Sequence, residues 1–146
     1  MKENWNKRFS SSEYIYGTEP NTFFASEISK LNPGKALFLG EGEGRNAVHA
    51  AKLGWDVTAV DFSEIGKDKA LKLAEKEKVS INYILSEVSE FNYAHESFDS
   101  VAIIFLHLPE ESRIKLHKNI IDWLKPKGRV ILEVFDKEQI NNSTGG

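Results

Sequence analysis

Short apolar runs alternate with helix-like stretches along this chain, and that alternation limits the fold more than any other feature. The runs are KALFLG, WDVTAVD, INYILS, FDSVAIIFLHL and RVILEVFD. Between them lie GRNAVHAAKLG, SEIGKDKALKLAEKEK and PEESRIKLHKNIIDWL. The first carries Ala47, Ala50 and Ala51, small enough to lie close on a sheet, and stops at Gly54. The second opens at a capping Ser63, and the third has proline in its first turn with acids behind it. In that third helix Ile114, His117, Ile120, Ile121 and Leu124 read as the inner face. Ahead of the first strand, PNTFFASEISKLNPG reads as a helix capped by Asn21, with Phe24, Ile28 and Leu31 on one stripe. KPKG reads as a turn before the last strand.

Strands alternating with helices of about 10–16 residues predict an α/β fold, a parallel sheet doubly wound by helices on both faces. The run from Val101 to Leu106 is apolar throughout, as a strand buried on both faces must be. Right-handed crossovers restrict the topology, and the expected order is the Rossmann-like 3-2-1-4-5. Such sheets bind ligands at the carboxyl ends of their strands, where the strand order reverses. GEGEGRNA, residues 40–47, sits at that point after the first strand. Asp61, Glu87 and the FLHLP stretch fall on the same edge.

The glycine turn satisfies two patterns. Gly42 to Ala47 matches G-x-G-x-x-A, the dinucleotide signature, and Asp61 ends the second strand 19 residues later, where an acid can bind ribose hydroxyls. Gly40 to Gly44 also matches the looser G-x-G-x-G. Charge separates the two. A pyrophosphate against Glu41 or Glu43 would be opposed by roughly 4 kcal/mol per charge pair at 4 Å and an effective dielectric of 20. S-adenosylmethionine has no phosphate; it carries a sulfonium, an α-ammonium and one carboxylate. An acidic rim suits its two cations, and backbone N–H groups suit the carboxylate. On this reading Glu41 faces the ligand and Glu43 points to water. The alternative for Asp61 is a helix-capping acid.

Composition removes several other classes. The 146 residues fit one domain, 1–146, in which 1–33 form an amino-terminal arm and helix. A net charge of −3 from 19 basic and 22 acidic residues gives no reason to expect nucleic acid or an anionic membrane as partner. With no cysteine there is no disulfide, thiolate metal site or cysteine nucleophile, and the four histidines lack metal-ligand spacing, so no metal is expected. No apolar run approaches the roughly 20 residues of a membrane span, and the polar start has no signal-peptide core. The expectation is a cytoplasmic protein, a monomer or weak homodimer, whose partner is a small molecule.

The segments WNKRF, YGTEPN, LGEGEGRNAVHAAKLGWDVTAVDFS, SFDSVAIIFLHLP and LKPKGRVILEVF follow one another in an order and spacing that resembles the class I S-adenosylmethionine-dependent methyltransferases. They are most similar to the tellurite-resistance-type subgroup, which acts on small molecules. The resemblance implies an enzyme that uses S-adenosyl-L-methionine. It places Gly40, Glu41 and Gly42 along the methionine moiety, with Gly44 completing the turn. Asp61 would bind the ribose, Phe62 would lie beside the adenine, and Glu87 and Val88 would meet the amino edge and the ring. Leu106 would close over the sulfonium. Trp5, Phe9, Tyr14 and Tyr16 would form an aromatic lid that helps enclose the acceptor.

Two departures stand out. Phe38 occupies a position, two residues before the first glycine, that is acidic in many class I members. The chain also stops at DKEQINNSTGG, where relatives continue with a helix and an antiparallel strand pair. The expectation is therefore a fold lacking its final strands, with an exposed fifth-strand edge, and a chain that is a fragment or a naturally short or partnered form.

Methyl transfer needs placement more than acid–base help, because the sulfonium is already activated. A soft anionic acceptor, such as a chalcogen oxyanion or a thiolate, needs no base. His107 is best placed for any proton transfer, at the end of the fourth strand; its other reading is a loop-capping histidine. His117 is read on the inner helix stripe, and His49 and His95 as structural or exposed. Arg45 is expected to pair with Glu43 or another acid, or to attract an anionic acceptor. The expected activity is S-adenosylmethionine-dependent methyl transfer to a small molecule. The alternatives are an NAD-binding oxidoreductase domain, or a truncated domain that binds S-adenosylmethionine without turnover.

Overall fold

A computed structural model describes residues 1–137. Helices α1 (Lys2–Phe9) and α2 (Thr22–Ser29) precede β1 (Lys35–Leu39). Then come α3 (Arg45–Lys52), β2 (Asp56–Asp61), α4 (Glu64–Lys76), β3 (Asn82–Leu85), β4 (Phe98–Ile104), α5 (Glu110–Trp123) and β5 (Leu124–Glu133). The strands form one parallel sheet ordered β3-β2-β1-β4-β5, the order expected from the sequence. The order reverses between β1 and β4, the point at which sheets of this kind bind ligands at the carboxyl ends of their strands.

Alternation along β1 sends Ala36 and Phe38 to one face and Leu37 and Leu39 to the other. The first face packs on α2 and α3 through Phe24, Ile28, Ala47 and Ala50. Asn21 caps α2 as expected, accepting the Phe24 N–H at 2.9 Å. Phe38 meets Phe24 edge-on at 5.4 Å, so the position that is acidic in many relatives belongs here to the apolar core. The second face packs on α5. No helix joins β3 to β4; Val88 and Phe91 of that connection cover the sheet instead, with Phe91 against Trp123 at 5.3 Å.

Two expectations are corrected. The inner face of α5 is Leu116, Ile120 and Trp123, whereas Ile121 is 75% exposed and Ile114 and His117 also face outward. The Trp123 indole favours this phase: it is fully buried, packs edge-on against Phe91 and adds the large apolar area of an aromatic to the core. KPKG does turn the chain, but within β5 and not before it: the pairing passes from Phe98–Leu124 to Ser100–Arg129, and Lys127 takes a φ of 66° where β5 carries the extra residues. β5 is an edge strand, and Val130, Leu132 and Val134 are exposed along it. The carboxyl-terminal EQINNSTGG lies outside the described residues, and with it the expectation about the chain's end. Among the described residues no helix is long and apolar enough to cross a membrane.

Candidate functional site

The glycine turn leaves β1 at Leu39 and is bolted to its neighbours by backbone bonds. Gly40 N–H donates to the Val60 carbonyl at 2.8 Å, and Gly42 N–H donates to Asp61 Oδ2 at 2.9 Å. The Tyr83 hydroxyl on β3 donates to the Gly42 carbonyl at 2.6 Å. Gly44 caps α3 at a φ of 89°, and a Cβ there would sit 2.9 Å from the Ala70 backbone and 2.5 Å from its methyl. Only glycine allows α4 to come this close.

Two acids hold the turn, and a third acts on them through its charge. Glu41 Oε1 accepts the N–H groups of Asn46 at 3.1 Å and Ala47 at 2.7 Å, closing the first turn of α3. Burial outweighs those two donors and pushes the Glu41 carboxyl up to about 8. Asp61 is buried, with Oδ1 accepting from Ser63 N–H at 2.9 Å and Oδ2 from Gly42. Its pKa is raised by burial, against the pull of its backbone donors. Asp61 thus ties the turn to the start of α4, where Ser63 is the cap that accepts from Gly66 N–H at 3.0 Å. Glu87 is exposed after β3, close enough for its charge to raise Asp61, as Asp61 raises Glu41. Val88 beside it is buried, and Phe62 is half-buried.

Glu43 does something different from what its position in the turn predicts. It is buried and points neither to water nor to the crevice. Its carboxylate forms an ion pair with Lys69 of α4 and accepts the Ile15 N–H at 2.8 Å. Glu43 therefore pins the amino-terminal arm to α4. Arg45 does not pair with it; the Arg45 guanidinium lies 5.7 Å from the Tyr16 ring centre and donates to the Tyr16 carbonyl at 3.4 Å.

The arm covers the turn, but only in part as an aromatic lid. Phe9 is buried, and its ring lies 3.1 Å from where a Cβ on Gly42 would be. Trp5 stacks obliquely on Phe9 at 5.3 Å. Tyr14 is drawn away from the crevice: its hydroxyl donates to the Lys69 carbonyl at 2.8 Å and its ring packs with Val48, Leu73 and Ala74 between α3 and α4. Tyr16 is exposed. From the β4 side, Leu106 packs against the turn, 2.8 Å from where a Cβ on Gly40 would be. His107 is exposed and stacks on Phe135 at 5.5 Å, which is not a capping role. Leu106 also lines a cavity of about 70 Å³, together with Leu108, Arg113, Leu116, His117 and Leu132. Among the described residues no cluster could hold a metal ion.

Four structural partners of the site escaped the sequence reading: Asn6, Ser63 as a tie to the arm, Lys69 and Tyr83. Ser63 Oγ donates to Asn6 Oδ1 at 2.6 Å. Lys2 and Asn6 lie four residues apart on one side of α1 and meet Glu64 and Ser63 at the start of α4, but two polar residues give no signal of that in the sequence. Nothing in the local pattern marks Lys69 or Tyr83.

Residues 36–128 match the family model described as "Methyltransferase domain". The chain is 32% identical over 92 residues to the probable S-adenosyl-L-methionine-dependent methyltransferase TehB of Haemophilus influenzae, covering 62% of this chain and 32% of that protein. It is 29% identical over 125 residues to the ubiquinone biosynthesis O-methyltransferase of Rickettsia canadensis, covering 86% and 50%. The chain thus spans about a third to a half of the length of these relatives. Among solved structures, a Pyrococcus horikoshii protein superposes with a TM-score of 0.72 at 22% identity, over 96% of this chain and 65% of that one. An S-adenosylhomocysteine complex of a methyltransferase from Thiobacillus denitrificans gives 0.67 at 20% identity, over 88% and 52%. At these identities the likeness is one of fold.

Proposed function

The chain belongs to the methyltransferase domain family, and on that premise we propose that it binds S-adenosylmethionine at the glycine turn and transfers the methyl group to a small soft nucleophile. The observation that carries this reading is the chain of coupled acids Glu41, Asp61 and Glu87 along the crevice, two of them held above their ordinary pKa. Burial is the main cause of both shifts, and the neighbouring acids add to it. A pyrophosphate would disfavour the ionised carboxyls further, whereas a ligand with a sulfonium and an ammonium favours them.

Each residue has a part. Asp61 uses one lone pair of each oxygen for a backbone N–H, and a carboxylate offers about four acceptor positions, so ribose hydroxyls can still donate to it. Glu41, next to Gly40 and Gly42, receives the ammonium. Val88 and Phe62 provide apolar surface for the adenine, and Glu87 accepts from its amino group. Leu106 and Phe9 approach the turn from opposite walls and exclude water from the reacting atoms. S-adenosylmethionine supplies a methyl group already activated on sulfur. The chain then has to align donor and acceptor, which contributes roughly 7–11 kcal/mol in well-oriented systems.

The acceptor we favour is a chalcogen oxyanion or a thiolate. Such a nucleophile reaches the site deprotonated, and the acids facing the turn already bind backbone or serve the donor. His107, exposed at the end of β4, borders the acceptor side and is the group for any proton that must move.

Parallel calorimetric titrations with S-adenosylmethionine, S-adenosylhomocysteine and NAD test the donor. Binding of the first two and not of NAD is expected. Binding of NAD alone would overturn the charge reading and favour a dinucleotide enzyme.

A further inference from the structure

Among the described residues, β5 has a strand neighbour on one side only, in β4. An edge strand carries a row of unpaired N–H and C=O groups, and chains that stay single keep such strands short, charged or broken by proline. β3, at the other edge, is only four residues long. β5 is guarded in its first half, by Lys125, Pro126 and Lys127. From Gly128 it reads GRVILEV, with Val130, Leu132 and Val134 exposed.

Two properties of this second half suit a partner of the same sequence. The Glu133 carbonyl accepts the Phe105 N–H at 2.7 Å, so Glu133 turns its backbone groups toward β4. Strand alternation makes Arg129 and Ile131 do the same, while Val130 and Leu132 turn theirs to the open edge. The second property is charge. Arg129 and Glu133 flank the buried Ile131 on one face of the strand. Arg129 is exposed and joins no ion pair among the described residues. Glu133 is half-buried, and its Oε2 has no hydrogen-bond partner among them.

We propose that a second copy of this chain pairs antiparallel with β5, about a two-fold axis at Ile131, and joins the two sheets into one. Val130 of each copy then lies opposite Leu132 of the other, and their free backbone groups form four hydrogen bonds. Arg129 of each copy lies opposite Glu133 of the other, in the kind of pair whose Cα atoms are about 4.5 Å apart and whose side chains come closest. Moving the axis by one residue sets a charged side chain against Ile131 instead: Glu133 one way, Arg129 the other. Leu132 also lines the cavity beside Leu106, so the second copy's Val130 extends that apolar wall. The contact is the same patch on both copies and closes as a dimer. A strand pair this short buries less than the roughly 1,200–2,000 Å² of a stable interface, so the dimer is a weak one. None of this depends on what the glycine turn binds.

Sedimentation velocity on the full chain, over a rising concentration series, tests the pairing. A reversible monomer–dimer equilibrium is expected. Val130→Pro removes an N–H that points away from β4, so the sheet keeps its own bonds while the dimer loses two of its four. Its dissociation constant should rise at least about tenfold, with an unchanged circular dichroism spectrum. Arg129→Glu and Glu133→Arg each set like charges opposite one another at two positions, and each should weaken self-association about tenfold. Mixing these two singly changed chains brings opposite charges together again at both positions, and the mixture should dimerise as the parent does. Should Glu133→Arg fail to fold, Arg129→Glu and Val130→Pro still decide. Three results overturn the proposal: a monomer at every concentration, a dimer as strong in Val130→Pro as in the parent, or a dimer unmoved by Arg129→Glu. A mixture of two folded charge variants that associates no better than either alone overturns it as well.

Discussion

Replacing Glu41 with glutamine tests the acidic turn more directly than any other change. Glu41 caps α3 with a single oxygen, Oε1, which accepts both the Asn46 and Ala47 N–H groups. Glutamine keeps an oxygen that can accept both, so the helix start should survive. What disappears is the ionisable proton. In the ligand-free chain the Glu41 carboxyl is pushed up to about 8, so it is protonated at neutral pH. A cationic ligand favours the carboxylate, and binding must then release the proton. Below about pH 8 each pH unit should raise the affinity about tenfold, or about 1.4 kcal/mol. The clean window is about pH 6 to about pH 7, below the range of about 7.7–8.0 where an α-ammonium begins to titrate. Calorimetry with S-adenosylmethionine in two buffers of different ionisation enthalpy measures both the slope and the proton released. Parent chain: affinity rising about tenfold over the window, with about one proton released. Glu41→Gln: a flat profile. A flat parent profile, or an equal slope in the variant, would refute the assignment of Glu41 to the ligand's cation. The ligand-free fold gives an independent sign. A carboxyl raised from 4.5 to about 8 on folding loses stability as pH climbs through that interval, so Glu41→Gln should melt above the parent at pH 8.

Two stability predictions accompany it. Glu43→Ala removes the carboxylate from the half-buried Lys69 ammonium, leaving it the Glu13 carbonyl, and takes the acceptor from the Ile15 N–H; it should cost about 3 kcal/mol in urea denaturation; a loss below about 1 kcal/mol would place the pair in solvent. Gly44→Ala combines a left-handed φ with a clash against the α4 backbone, and should cost about 2–5 kcal/mol, read as a lower denaturation midpoint with an unchanged slope.

Much of this protein is legible in one dimension. The order of strands and helices follows from apolar periodicity, because a parallel sheet covered on both faces needs continuous apolar runs and helices need a stripe. The glycine turn, Asp61 and Leu106 come together at one edge because the carboxyl ends of parallel strands must. Asn21 and Ser63 were readable as caps since a cap is satisfied within three residues of itself. Where several elements compete for one side chain, the linear pattern stops helping. Ile114 and Ile121 belong to a plausible apolar stripe, yet the bulk of Trp123 rotates α5 away from them. Glu43 sits in a ligand-binding pattern, but the nearest cation is Lys69, 26 residues on, and only the packing of α4 on the turn brings them together. Tyr14 belongs to an aromatic arm, but its hydroxyl finds the Lys69 carbonyl, 55 residues away. Tyr83 reaches the Gly42 carbonyl across the sheet from a strand whose own sequence gives no hint of it. Sequence by itself determined the fold, the edge on which the site lies and the acids that shape its charge, since those depend on burial patterns and backbone spacing. Tertiary structure alone decided that Glu41 caps α3 while Glu43 pins the arm, because a buried carboxylate goes to whichever donor the packed neighbours leave within reach.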